Sequence, residues 1–205
     1  PGIPHHVTQR GNRRPQTFFN DEDYQSYLGL MSEWCTKFQV ETWAYCLMPN
    51  HIHLIVVPET KDGLNQAIGE AHRRYTRRIN FREGWRGHLW QGRFSSFSMD
   101  EGYLLACTRY VELNPVRAGL VKKPEDWHWS SAGPHMKGKD DILVKTKPLL
   151  EMVNKPWEDF LAIDAQEPEI ALFRKHERTG RPLGVDSFIG TMELLQKPGP
   201  KKKDK

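Results

Sequence analysis

Apolar positions along the chain switch between a period of two and a period near 3.6, and the switches outline the elements. His5 to Gly11 (HHVTQRG) reads as a short strand, with a loop over Gly11 to Pro15. Asn20 stands where a helix N-cap belongs, and Asp21, Glu22 and Asp23 follow in the first turn, where anions suit the helix dipole. Tyr24, Tyr27, Leu28, Met31 and Cys35 recur at helical spacing, which predicts a helix to about Phe38. Val40 to Met48 is rich in β-branched and aromatic residues. The Pro49-Asn50 turn signal and the His51 to Val57 run complete a predicted hairpin. Gly63 to about Asn80 forms a basic amphipathic helix whose apolar stripe is Leu64, Ala67, Ile68, Ala71 and Tyr75. A Gly-punctuated aromatic stretch, WRGHLWQG over 85–92, leads to a strand predicted at Arg93 to Met99. Asp100 then caps a helix from Glu101 to about Asn114, which Pro115 ends or kinks.

Beyond Pro124 come WHWSSAG, a polar linker around Gly138 to Asp141 and a run of short helical patterns. The chain closes on PGPKKKDK, expected to be a disordered basic tail from about residue 197. Strands mixed with helices in this order predict an α+β fold, an antiparallel sheet with helices packed on it. The expected division is a first unit over residues 1–132 and a C-terminal extension over 133–205.

Composition narrows the class. The 205 residues are 38% hydrophobic and include seven Trp, nine Phe and six Tyr, which excludes wholesale disorder. No apolar stretch approaches the length of a membrane-spanning helix, and no secretion leader is expected. Three cysteines (Cys35, Cys46, Cys107) lack CxxC spacing and cannot all pair, so a reducing cytosol is the expected compartment. The formal charge is +4. Its basic excess falls in the first 123 residues, and Arg73, Arg74, Arg77, Arg78, Arg82, Arg86 and Arg93 crowd one stretch of it. Planar guanidinium groups suit bidentate phosphate contact, which points to a nucleic-acid partner.

Two local patterns carry candidate chemistry. His51-Ile52-His53 lies on a predicted strand, so both imidazoles project to one side, within reach of a single metal ion. The same spacing also suits two hydrogen-bonded histidines beside the apolar run Leu54 to Val57. Tyr110 and Asn114 are four apart on a predicted helix and share a face. A Tyr can attack a phosphodiester, and an Asn carbonyl oxygen can join the ligand set of Mg²⁺ or Mn²⁺. A helical Tyr is also ordinary packing, and spacing alone does not select Tyr110 over Tyr103 or Tyr75.

Several segments together carry a resemblance. LMPNHIHL over 47–54 resembles the HUH signature (His, bulky apolar, His) of single-tyrosine transposases. RYVELNPVRAGLV over 109–121 is similar to their tyrosine-helix segment, HHVTQRGN over 5–12 to their first strand, and WHWSS over 127–131 to a segment after the tyrosine helix. TGRPLG over 179–184 is similar to the REP-associated tyrosine transposase branch. The resemblance implies a ferredoxin-like (RRM-like) HUH nuclease architecture and a cytoplasmic, nucleoid-associated enzyme. Such an enzyme nicks and rejoins single-stranded, hairpin-bearing DNA through a 5′-phosphotyrosine. By motif position Tyr110 is implied as the nucleophile, with His51, His53 and Asn114 as ligands of a divalent metal, Mg²⁺ or Mn²⁺. Asn114 stands where many mobile relatives carry Gln. Mobile relatives act as homodimers that exchange the tyrosine helix, whereas the REP-associated branch can act as a monomer. Metal-binding histidines must be neutral, so activity is expected to fall as pH drops toward about 6.

The expected DNA contacts are a backbone track along Arg73, Arg74, Arg77 and Arg78, with Arg10, Asn12, Gln91 and Arg93 reading bases or steering a flanking strand. Trp85 and Trp90 are candidates for base stacking. Two other readings are open at this level: a hairpin-binding protein without catalysis, and a small-molecule metallohydrolase using the HxH pair. The second lacks an HExxH motif or a nearby acidic cluster.

Overall fold

The computed structural model describes residues 1–12, 16–163 and 167–196. The expected basic tail from about residue 197, with Lys201 to Lys203, lies outside the described residues. The first elements are β1 (His5–Arg10), α1 (Asp21–Lys37), β2 (Val40–Met48), β3 (His51–Pro58), α2 (Gly63–Glu83) and β4 (Ser95–Ser98). After them come α3 (Glu101–Glu112), α4 (Asn114–Arg117), a 3-10 turn at Pro124–Asp126 and α5 (Ala132–Lys137). The chain continues with α6 (Lys147–Met152), α7 (Trp157–Leu161), α8 (Glu167–Thr179) and α9 (Asp186–Gln196).

The four strands form an antiparallel sheet in the order β2-β3-β1-β4, the ferredoxin-like arrangement. Local chemistry sets the elements much as the sequence predicts. Asn20 is extended and its side chain accepts from Asp23 N at 3.1 Å, which starts α1. Gly84, at φ 65°, ends α2 in the left-handed region. Gly63 must be glycine, because a Cβ there would lie 2.6 Å from the Phe38 carbonyl oxygen. Three predicted boundaries shift, the first being the end of α2, which runs to Glu83 rather than about Asn80. The regular part of β4 spans only Ser95–Ser98, inside the predicted 93–99. The helix from Glu101 ends at Glu112, and Asn114 opens the short α4, because Pro115 has no N–H to continue the ladder.

Strand alternation divides the core in two. Ile52, Leu54 and Val56 of β3 face a cluster with Tyr27, Met31, Ile68 and Tyr75 of α1 and α2. Ile55 faces the other side, where it joins Cys46, Phe97, Leu104, Val111, Trp157 and Phe173. His51 and His53 share the face of Ile55, because residues two apart point the same way. Residues beyond 128 complete both sheet margins. On β2, Leu47 N donates to Trp129 O (2.8 Å), Ser131 N to Tyr45 O (3.0 Å) and Lys145 N to Thr42 O (2.8 Å). On β4, Leu183 N donates to Ser98 O (2.9 Å) and Asp100 N to Leu183 O (3.1 Å).

Candidate active site

The HxH pair sits on β3 beside β1, whose register sets Arg10 against His51 and Thr8 against His53. Above this face runs α3, held by Leu104, Cys107 and Val111 in the core, so that the Tyr110 ring lies 5.6 Å from the His53 ring. His51 and His53, Tyr110 and Asn114 all line one open cleft of about 730 Å³. Arg10, Gln91 and Arg93 line the same cleft.

Hydrogen bonds orient the two imidazoles. His51 Nδ1 lies 2.6 Å from Asn50 Oδ1, so Nδ1 carries the proton and Nε2 keeps its lone pair. His53 Nδ1 lies 3.0 Å from Nε2 of His6, a buried residue of β1. Burial, helped by the charge of Arg10, holds His51 down to about 4. Burial also pushes His53 well below its ordinary value, with His51, His6 and Arg117 adding to the effect. Both rings are therefore neutral well below pH 6, the point at which an ordinary imidazole begins to compete for protons. Burial raises the Tyr110 phenol, and the nearby Glu177 carboxylate raises it further, whereas Arg117 and Arg174 oppose the rise. The Arg117 guanidinium stands 4.7 Å over the Tyr110 ring and donates to the Tyr110 carbonyl.

Glu177 was not legible as a site residue. It comes from α8, and its Oε1 lies 3.8 Å from His53 Nδ1 and 3.9 Å from His6 Nδ1. Burial pushes its carboxyl up to about 7, against a lowering hydrogen bond from Tyr110 and the charges of Arg174, Arg10 and Arg178. His6, His53 and Glu177 form a group able to hold a metal ion. Asn114 Nδ2 is buried with no hydrogen-bond partner among the described residues. A buried amide nitrogen without a partner is a costly arrangement. The donor atoms of His6, His53 and Glu177 lie within 4.8 Å of one another, whereas the expected ligands His51 and Asn114 line the same cleft but are not part of this group.

The remaining candidates lie elsewhere. Arg73, Arg74, Arg77 and Arg78 ride on α2, which packs on the opposite face of the sheet. Arg73 is engaged by Glu70 at 2.6 Å, and Arg74 stacks 4.5 Å from the Trp34 ring. Asn12 reaches the His88 carbonyl at 3.3 Å, in a smaller neighbouring pocket. Trp90 is buried in the core, while Trp85 stays partly exposed against Phe19.

Fold and site together define an α+β protein in which the histidine pair of one sheet face meets Tyr110 and Asn114 of the helices above it in a single cleft. The chain belongs to the IS200-like transposase family, whose model matches residues 2–114. It is 31% identical over 108 residues to a putative REP-associated tyrosine transposase of Haemophilus influenzae, a match covering 47% of this chain and 61% of that one. It is 24% identical over 95 residues to the REP-associated tyrosine transposase of Escherichia coli, over 46% of this chain and 54% of that one. The matches thus span little more than half the length of these relatives. A solved REP-associated tyrosine transposase bound to a REP hairpin shares the fold, with a TM-score of 0.58 at 23% identity, covering 69% of this chain and 84% of that one. No helix among the described residues is long and apolar enough to cross a membrane.

Proposed function

We propose that this protein is a metal-dependent transposase that nicks and rejoins single-stranded, hairpin-containing DNA through a covalent 5′-phosphotyrosine on Tyr110. The observation that carries the reading is the meeting of Tyr110, His51, His53 and Asn114 in one cleft that Arg10, Gln91 and Arg93 also line. Residues 1–132 are the catalytic unit and 133–205 its extension. The set is complete within one chain, which favours action as a monomer over exchange of the tyrosine helix between subunits.

His51, His53 and Asn114 would hold the divalent cation, with Glu177 close by. When bound, the cation supplies charge neutralisation at the scissile phosphate. Arg10 and Arg93 hold and orient the strand by its phosphates. The Tyr110 oxygen attacks phosphorus in line, and the phenol proton has an acceptor in the hydrogen-bonded Glu177 carboxylate. The P–O3′ bond breaks, and the departing oxygen takes a proton from water. A second 3′-hydroxyl reverses the sequence and joins a new strand, so no nucleotide cofactor is needed.

The test is a nicking assay on labelled single-stranded hairpin DNA with Mn²⁺ or Mg²⁺, resolved on a denaturing gel. The expected result is a protein–DNA adduct that disappears with EDTA and in Tyr110→Phe, while hairpin binding by the variant persists. Tight hairpin binding with no cleavage under any of these conditions would instead identify a non-catalytic hairpin-binding protein.

A further inference from the structure

We propose that Arg174 and Arg178 of α8 form a second phosphate-binding wall of the cleft and take the backbone of the single strand next to the bond that Tyr110 attacks. The inference rests on the DNA-processing reading and assigns part of its substrate contact to a helix beyond the matched residues 2–114.

Arg174 and Arg178 line the same cleft as Tyr110, Arg10 and Arg93. They are four apart on α8, so their Cβ atoms lie about 5–6 Å from one another on one side of the helix. The helix is firmly seated. Ile170 and Phe173 are buried, the Phe173 ring lies 5.3 Å from that of Tyr110, and Leu183 just beyond is bonded to β4. A seated helix presents its arginines at a fixed place, which lowers the entropy lost when a phosphate binds.

Among the described residues neither guanidinium has a carboxylate within 4.0 Å, although both charges act on Glu177 from further away, and both side chains are exposed. The intervening Glu177 is turned instead toward His53, His6 and Tyr110. An ordinary solvated face predicts no such partition. Lys175, on the same helix, is also exposed but does not line the cleft. Four guanidinium groups from three parts of the chain therefore meet where the single strand has to pass.

The experiment measures binding of a fluorescein-labelled strand of twelve thymidines by anisotropy, with the full chain, between 50 and 200 mM KCl. Each phosphate contact on a single strand contributes about 0.7 to the slope of log affinity against log salt. The double variant Arg174→Gln/Arg178→Gln is expected to flatten that slope by about 1.4, so it loses about sevenfold less affinity than wild type across the range. Arg174→Lys/Arg178→Lys keeps the charge and is expected to keep the slope, and Lys175→Gln is expected to match wild type. A wild-type slope in the double Gln variant, or an equal loss in Lys175→Gln, overturns the inference while leaving the DNA reading intact. Failure of the wild-type protein to bind the strand at 50 mM KCl overturns both.

Discussion

His6 Nε2 lies 3.0 Å from His53 Nδ1, with the two rings within 6° of coplanar. The pair bridges β1 and β3 diagonally, since His6 is in register with Ile55 and His53 with Thr8. A bond of this kind holds the His53 ring by its Nδ1 side. Partners of metal-binding imidazoles that act this way are worth about 10–100-fold in metal affinity. His6→Ala is expected to weaken Mn²⁺ binding by that factor in calorimetric titration, with the circular dichroism spectrum unchanged. Unchanged Mn²⁺ affinity would mean that other packing fixes His53.

A second expectation concerns the helix that carries Tyr110. Glu112, fully buried, accepts from Ser131 Oγ (2.5 Å), His135 Nδ1 (2.7 Å) and Trp157 Nε1 (2.8 Å). The bonds from His135 and Trp157 tie α3 to the extension. Glu112→Ala leaves three buried polar groups without their acceptor, and the expected loss is about 3–5 kcal/mol of unfolding free energy in urea. A loss below about 1 kcal/mol would show that the three donors find other acceptors.

The link between α1 and α2 is a buried carboxylate. Asp23 is fully buried and pairs with Arg82 at 2.5 and 3.0 Å, while also accepting from Phe19 N at 2.9 Å. Arg82 is partly exposed, so the pair is partly screened, and Arg82→Ala is expected to cost about 2–3 kcal/mol. Asp23→Asn removes the buried charge and, combined with Arg82→Ala, should cost less than the two single changes added together. Strict additivity in the double-mutant cycle would rule out the coupling.

Acid should destabilise the fold in a defined window. Burial holds His6 and His72 down to about 3 and His51 to about 4, against an ordinary 6.5. For a base whose folded value is depressed, the unfolded chain binds more protons between the two values, so this stability is present above about 6.5 and is lost as pH falls toward 4. Each such imidazole contributes about 1.4 kcal/mol per pH unit within the window. Thermal melts from pH 7.5 to 4.5 should show Tm falling once pH passes below about 6.5. A flat profile would mean that these rings protonate without unfolding.

Much of this was legible along the chain, because the signals were local. The Asn20 cap, the β2–β3 hairpin and the stripe Leu64, Ala67, Ile68, Ala71, Tyr75 follow from neighbouring residues alone, and all five stripe residues are buried. The HxH spacing likewise put both histidines on one face. Its corollary was also available: if α2 packs on Ile52 and Leu54, then Arg73 to Arg78 belong to the other side of the sheet. His6 and Glu177 had no comparable signal. Their nearness to His53 depends on strand register and on where α8 docks, and no periodicity encodes either.

The bonds from Trp129, Ser131 and Lys145 on one margin of the sheet, and from Leu183 on the other, have a further consequence. Outermost strands with free amides and carbonyls are templates on which a second molecule can extend the sheet. Here the second half of the chain occupies both places itself, as a hem sewn along each side of a cloth. Growth of this four-stranded sheet from one molecule into the next is thereby discouraged.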